Sequence, residues 1–294
     1  MGVLLGGSIS ASSLTGQIDA TVTDGAFGGL VGNCDDGAVT GSTVAVPVSV
    51  TAQGKVVAGG VIGSGSGTLT NVVVTADVEA HSAADSELVA LLDVEEGSTY
   101  LPIVAAGGAI GYFTGRASGV KVTVAYVHAG TDYTGDAFYA LAGGLAGSLR
   151  NAENVEVLGI GSVEASGSLS VAAGVVAVLG EDLSFAVVSG VTVSAGVAGY
   201  AAGVASLRDE GNLNNVFATI GSASGALVSV MQNDATMDNC AYLYGSATLS
   251  SVTPEQVTGT QNLASLEAFY NVALYDDFDG EIWSIDGASL PSLR

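Results

Sequence analysis

Gly28-Gly29-Leu30-Val31-Gly32 is a short unit of two small residues, two apolar ones and a third small one, and it recurs down the chain. It returns as Gly59-Gly60-Val61-Ile62-Gly63, Gly107-Gly108-Ala109-Ile110-Gly111 and Gly143-Gly144-Leu145-Ala146-Gly147. Looser copies follow at Ala173-Gly174-Val175-Val176-Ala177, Ala202-Gly203-Val204-Ala205-Ser206 and Gly225-Ala226-Leu227-Val228-Ser229, and an eighth reads at Gly6-Gly7-Ser8-Ile9-Ser10. From second Gly to second Gly (Gly225 in the last copy) the intervals are 22, 31, 48, 36, 30, 29 and 22 residues. Self-similarity at such spacing marks an array of stacked units.

A short strand follows six of the copies: Asn71-Val72-Val73-Val74, Gly119-Val120-Lys121-Val122, Asn154-Val155-Glu156-Val157, Gly190-Val191-Thr192-Val193, Asn215-Val216-Phe217-Ala218 and Asn239-Cys240-Ala241-Tyr242, with Val alternating in the first four. Alternation of period two predicts strands with one buried face. The Asn or Gly ahead of each strand tolerates a left-handed corner. Together these features predict an all-β, right-handed parallel β-helix of about eight coils over residues 1–245. A small mixed cap over residues 246–294 is expected to cover the last coil. Glycines at the repeat would let successive coils approach, and the apolar pair would fill the interior. Intervals above the minimum predict excursions at 81–102, with a short helix over 84–92, and at 128–139; such loops carry the binding function of a solenoid.

The chain has 29 acidic residues against six basic ones, a net charge of −23. Lys55, Arg116, Lys121, Arg150, Arg208 and Arg294 are scattered, which excludes the basic cluster that nucleic acid requires. Cys34 and Cys240 would lie about six coils apart, roughly 30 Å at the usual strand spacing, so two free thiols are expected. The uncharged stretch between Asp182 and Arg208 carries glycines and strand alternation, so membrane insertion is not expected. Met1-Gly2-Val3-Leu4-Leu5 lacks the basic start of a secretory signal, and the abrupt opening on a repeat suggests a piece of a longer protein.

The unit with its following strand resembles the GLUG repeat, best in Gly29-Leu30-Val31-Gly32, Gly60-Val61-Ile62-Gly63, Gly108-Ala109-Ile110-Gly111 and Gly144-Leu145-Ala146-Gly147. The tail, Phe278 to Gly287 with Trp283, then Leu290-Pro291-Ser292-Leu293-Arg294, resembles the segment that closes such arrays. The resemblance covers roughly residues 5 to 245. It implies an extracellular, cell-surface, structural or adhesive (adhesin-like) role in bacteria or archaea, with no shared catalytic site.

The expected function is therefore a non-enzymatic extracellular structural or adhesive repeat domain of a prokaryotic surface protein. Tyr126, Tyr133, Phe138 and Tyr139 are the candidate contacts for a glycan or protein. A carbohydrate-active β-helix enzyme, lyase or hydrolase, is the first alternative; it would need a groove with clustered carboxylates and a basic residue. The acidic pairs, such as Glu181-Asp182 and Asp209-Glu210, read as solvated rims. End-to-end self-association into a surface filament is the second alternative to a monomer. His81 and His128 stand far apart in sequence, without ligand spacing for zinc. Asp277, Asp279 and Glu281 are hard oxygen donors suited to Ca²⁺, and equally a polar turn of the cap; no other cofactor is expected.

Overall fold

The computed structural model describes residues 2–83, 104–133, 139–197, 199–208, 211–220, 227–231, 235–243 and 257–294. The predicted helix over 84–92, most of the 81–102 excursion, residues 134–138 of the other (Phe138 included), and the Tyr139 side chain lie outside these. Strands pair in parallel throughout the array, in the manner of an all-β parallel β-solenoid. One column of partners runs Val3, Asn33, Ser64, Tyr112, Ser148, Val178, Leu207, Val230, which gives eight stacked coils. Consecutive members are 30, 31, 48, 36, 30, 29 and 23 residues apart, so the repeat spacing read from the glycines is the coil length. The first interval differs from the expected 22. Ser8–Ser10 pairs with Ala38–Thr40, which makes Gly6-Gly7 a corner and not a copy of the repeat.

Each repeat unit lies between two sheets. A six-stranded sheet holds Gly25–Gly28, Val56–Gly59, Val104–Gly107, Tyr139–Gly143, Leu169–Ala173 and Tyr200–Ala202. The chain then turns into the first strand of the next coil. At that turn both amides of the apolar pair donate to one carbonyl of the neighbouring coil: Val61 and Ile62 to Ala109 at 2.8 and 3.0 Å, Ala109 and Ile110 to Leu145 at 3.0 Å. Glycine is required because the turns stack almost in contact. A Cβ on Gly60 would lie 2.2 Å from the Gly108 carbonyl oxygen, and one on Gly108 would lie 2.2 Å from that of Gly144. From Val61 to Val228 the apolar pairs of the described turns are fully buried.

Inward side chains form ladders of small volume. Val39, Leu69, Ala117, Ala152, Leu183, Leu213 and Met237 stack along one wall, all buried. Corners form a second ladder. Ala11, Gly41, Asn71, Gly119, Asn154, Phe185, Asn215, Asn239 and Gly259 occupy one corner, each with φ between 48° and 63°. Asn and Gly were expected there. Phe185 was not: the sequence placed Gly190 in this role, but Gly190 turns a different corner, beside Gly159. Cys34 and Cys240 are both buried free thiols, as expected. Among the described residues no helix is long and apolar enough to cross a membrane.

The tail departs from the expected end cap. Val257–Thr258 and Gln261–Leu263 continue the ladder in parallel with Thr236–Asp238 and Ala241–Leu243, past the boundary drawn at 245. Two 3₁₀ turns follow, Leu266–Tyr270 (a helical turn was expected at 265–270) and Val272–Tyr275. The chain then runs back along the outside of the solenoid. Phe269, Tyr275, Phe278 and Trp283 are buried against Val187, Phe217 and Ala241, outward-facing residues of three successive coils. Trp283 Nε1 donates to Asn154 Oδ1 at 3.0 Å. Farther on, Glu156, 1% exposed, accepts from Leu293 N at 2.8 Å and lies 3.0 Å from Lys121 Nζ. The tail is a strap over one flank.

Candidate functional site

Another flank is polar and built from the strands that close each coil: Ile18–Val22, Val48–Ala52, Val78–Ser82, the ends of Ile110–Thr131 and Ala146–Ser166, and Thr192–Ala195. Alternation turns Val48, Val78, Val127 and Val163 inward and leaves every second residue outside. Register then stacks Asp19, Ser49, Glu79, His128, Glu164 and Ser194 in one outward column. Beside it run Thr21, Thr51, His81, Gly130 and Ser166. Two histidines 47 positions apart in the chain thus stand on adjacent coils, although the sequence left each alone. The coil between them is lengthened by the excursion, which hides the register.

Side chains engage across these coils. His128 Nε2 lies 3.0 Å from Ser166 Oγ, and His128 Nδ1 lies 3.9 Å from Glu79 Oε1. His81 Nε2 lies 3.3 Å from Asp132 Oδ2. Ser49 Oγ donates to Glu79 Oε2 at 3.5 Å. The Tyr126 ring tilts over His128, centroids 5.7 Å apart. His128 is 18% exposed, and burial holds its imidazole below the ordinary value against the opposing pull of Glu79 and Glu164. Burial, then the charges of Glu164 and Glu79, push the Tyr126 phenol up. Tyr126 also walls a shallow, mostly apolar slot of about 110 Å³ with Gln17, Pro47, Val48 and Asp77. Asp77 fixes the wall by accepting from the Ala125 and Tyr126 amides, both at 3.0 Å.

No protein-family model, curated protein or solved structure matches this chain.

Of the four aromatic residues expected to bind ligand, Tyr126 lies in this face. Tyr133, half-buried, packs against the core, its amide donating to Thr131 Oγ1 at 3.1 Å. Among the described residues no group of three or more His, Cys, Asp or Glu is arranged to hold a metal ion. Asp279 Oδ1 instead accepts from the Glu281 amide at 2.8 Å, Asp277 is exposed, and Glu281 lines a groove of about 390 Å³ between the tail and the coils of Asn71 and Lys121. The acidic pair at Glu181 is a rim, as expected, with Arg150 and Asn151 donating to that carboxylate.

Proposed function

We propose that this chain is an extracellular adhesive repeat domain of a prokaryotic cell-surface protein, a stiff solenoid that presents one polar flank to a glycan or protein. The resemblance of the Gly-Leu-Val-Gly units to surface-protein repeats supports the setting. The strongly acidic composition, net −23, supports a soluble surface exposed to salt and cations. The observation that carries the binding role is the Tyr126 slot. An aromatic side chain, a proline and an amide side chain line a shallow trough, with the hydrogen-bonding carboxylates of Asp77 and Glu79 at its edge. Apolar faces flanked by a few placed polar groups suit sugar rings.

Glycoside cleavage fits less well. Glu79 and Glu164 do stand on either side of His128, two coils apart, but Glu79 is 49% exposed on an open strand face. A glycosidase acid needs a desolvating pocket. The test is a glycan array with the intact chain beside Tyr126→Ala. Binding that disappears in the variant, without release of reducing ends, is the expected result. Binding unchanged by Tyr126→Ala would move the ligand surface elsewhere.

A further inference from the structure

The adhesive reading uses the Tyr126 slot and leaves the His128 cluster without a role. We propose that Ser166, His128 and Glu79 form an acyl-transfer site that hydrolyses uncharged esters. The order of groups is the one a serine nucleophile needs. Ser166 Oγ is exposed and lies 3.0 Å from His128 Nε2, within reach of proton transfer. The other ring nitrogen, Nδ1, is buried with no hydrogen-bond partner and has Glu79 Oε1 as its facing carboxylate at 3.9 Å. Such contacts are often long before substrate binds. Burial, reinforced by His81 and opposed by Glu79 and Glu164, keeps the imidazole neutral near pH 7 and able to accept a proton.

Gly130 lets these side chains converge. A Cβ there would lie 3.0 Å from both Ser166 Oγ and His81 Nδ1, and 2.9 Å from His128 Cε1. An acyl carbonyl therefore approaches Ser166 from its exposed, solvent side, with His128 and His81 behind the nucleophile. Asp132, 3.3 Å from His81 Nε2, holds the His81 ring beside Ser166. Glu79, Glu164 and Asp132 around the site disfavour anionic substrates. In the first step Ser166 Oγ bonds to the carbonyl carbon and its proton passes to His128 Nε2. The ester C–O bond then breaks, and that proton leaves with the alcohol. Water attacks the acyl-serine, its proton passing through His128 to Ser166 as the carboxylic acid departs.

The test uses the intact chain with p-nitrophenyl acetate, and a fluorophosphonate probe located by peptide mass spectrometry. Label on Ser166 is expected, with hydrolysis falling about 100-fold or more in Ser166→Ala and in His128→Gln. Wild-type hydrolysis should rise with pH through a midpoint below 6.5, and Glu79→Gln should shift that midpoint while slowing labelling. Ser166 is exposed, so unchanged circular dichroism should accompany its substitution. A rate unchanged by Ser166→Ala would mean simple imidazole catalysis by His128 and would overturn the proposal, as would label on any other residue. Glycan binding is the independent readout: it should survive Ser166→Ala and fail in Tyr126→Ala.

Discussion

The rings of Phe185 and Phe278 meet edge to face, centroids 5.4 Å apart at 87°, and Phe185 makes this contact from a left-handed backbone with φ 53°. A non-glycine residue there costs about 1–2 kcal/mol, and Asn fills the same corner on the adjacent coils at Asn154 and Asn215. The strap offsets the strain by covering the ring. Phe185→Asn should therefore destabilise the intact chain by about 1 kcal/mol, since an aromatic pair and part of a buried ring outweigh the relief. With Phe278→Ala already in place the same change should be neutral or stabilising. A double-mutant cycle by urea unfolding reads the sign; identical effects in both backgrounds would disconnect corner from strap.

Gly60 and Gly280 make opposite predictions for the same substitution. A Cβ on Gly60 meets the Gly108 oxygen at 2.2 Å, and both atoms belong to stacked main chain that can separate only by parting two coils. Gly60→Ala should cost about 3 kcal/mol or more, or prevent folding. Gly280 has nothing within 4 Å of its added Cβ, so Gly280→Ala should change stability by no more than about 0.5 kcal/mol. Thermal melts of the two variants compare them directly.

These contrasts mark how far the sequence could be read. Coil length was legible because close stacking demands small residues at one position, and Gly60, Gly108 and Gly144 show that demand openly. Corners were legible where Asn or Gly stands, and Phe185 escaped because its strain is relieved by a segment 93 residues away. The strap had a signal that was missed. The outward positions that begin with Lys121 and Glu156 continue as Val187 and Phe217, apolar where solvent should face, and so call for a cover. His81 and His128 were not legible together, because their adjacency depends on a register that the lengthened coil conceals.

His128 gives a pH dependence. Its folded value is depressed by burial, below the unfolded value of about 6.5. Between the two values the unfolded chain binds more protons, so this group's stabilisation is complete above about pH 6.5 and is lost as pH falls through the folded value. Glu79, Glu164, His81 and Asp132 face the same space, and His128→Gln leaves all four in place. Wild type should lose more stability than His128→Gln between pH 7 and pH 5 in urea titrations. An equal loss in both would assign the acid sensitivity to the carboxylates.

Glu156 holds the far end of the strap. It is 1% exposed, and its Oε2 receives Leu293 N at 2.8 Å, Ser292 Oγ at 3.1 Å and Lys121 Nζ at 3.0 Å. Charged acceptors in such networks contribute about 1.5–3 kcal/mol per bond, and Lys121 keeps partial access to water, which lowers the ion pair's share. Glu156→Gln keeps the shape but weakens all three contacts together. Phe269, Tyr275 and Phe278 remain packed on Val187 and Phe217, so the strap should loosen from its tip and not detach. Hydrogen exchange at the Leu293 amide should accelerate at least tenfold, while the Trp283 indole on Asn154 changes less. Equal acceleration at both sites would show that the strap opens as one unit, with the aromatic cluster unable to hold its near end alone.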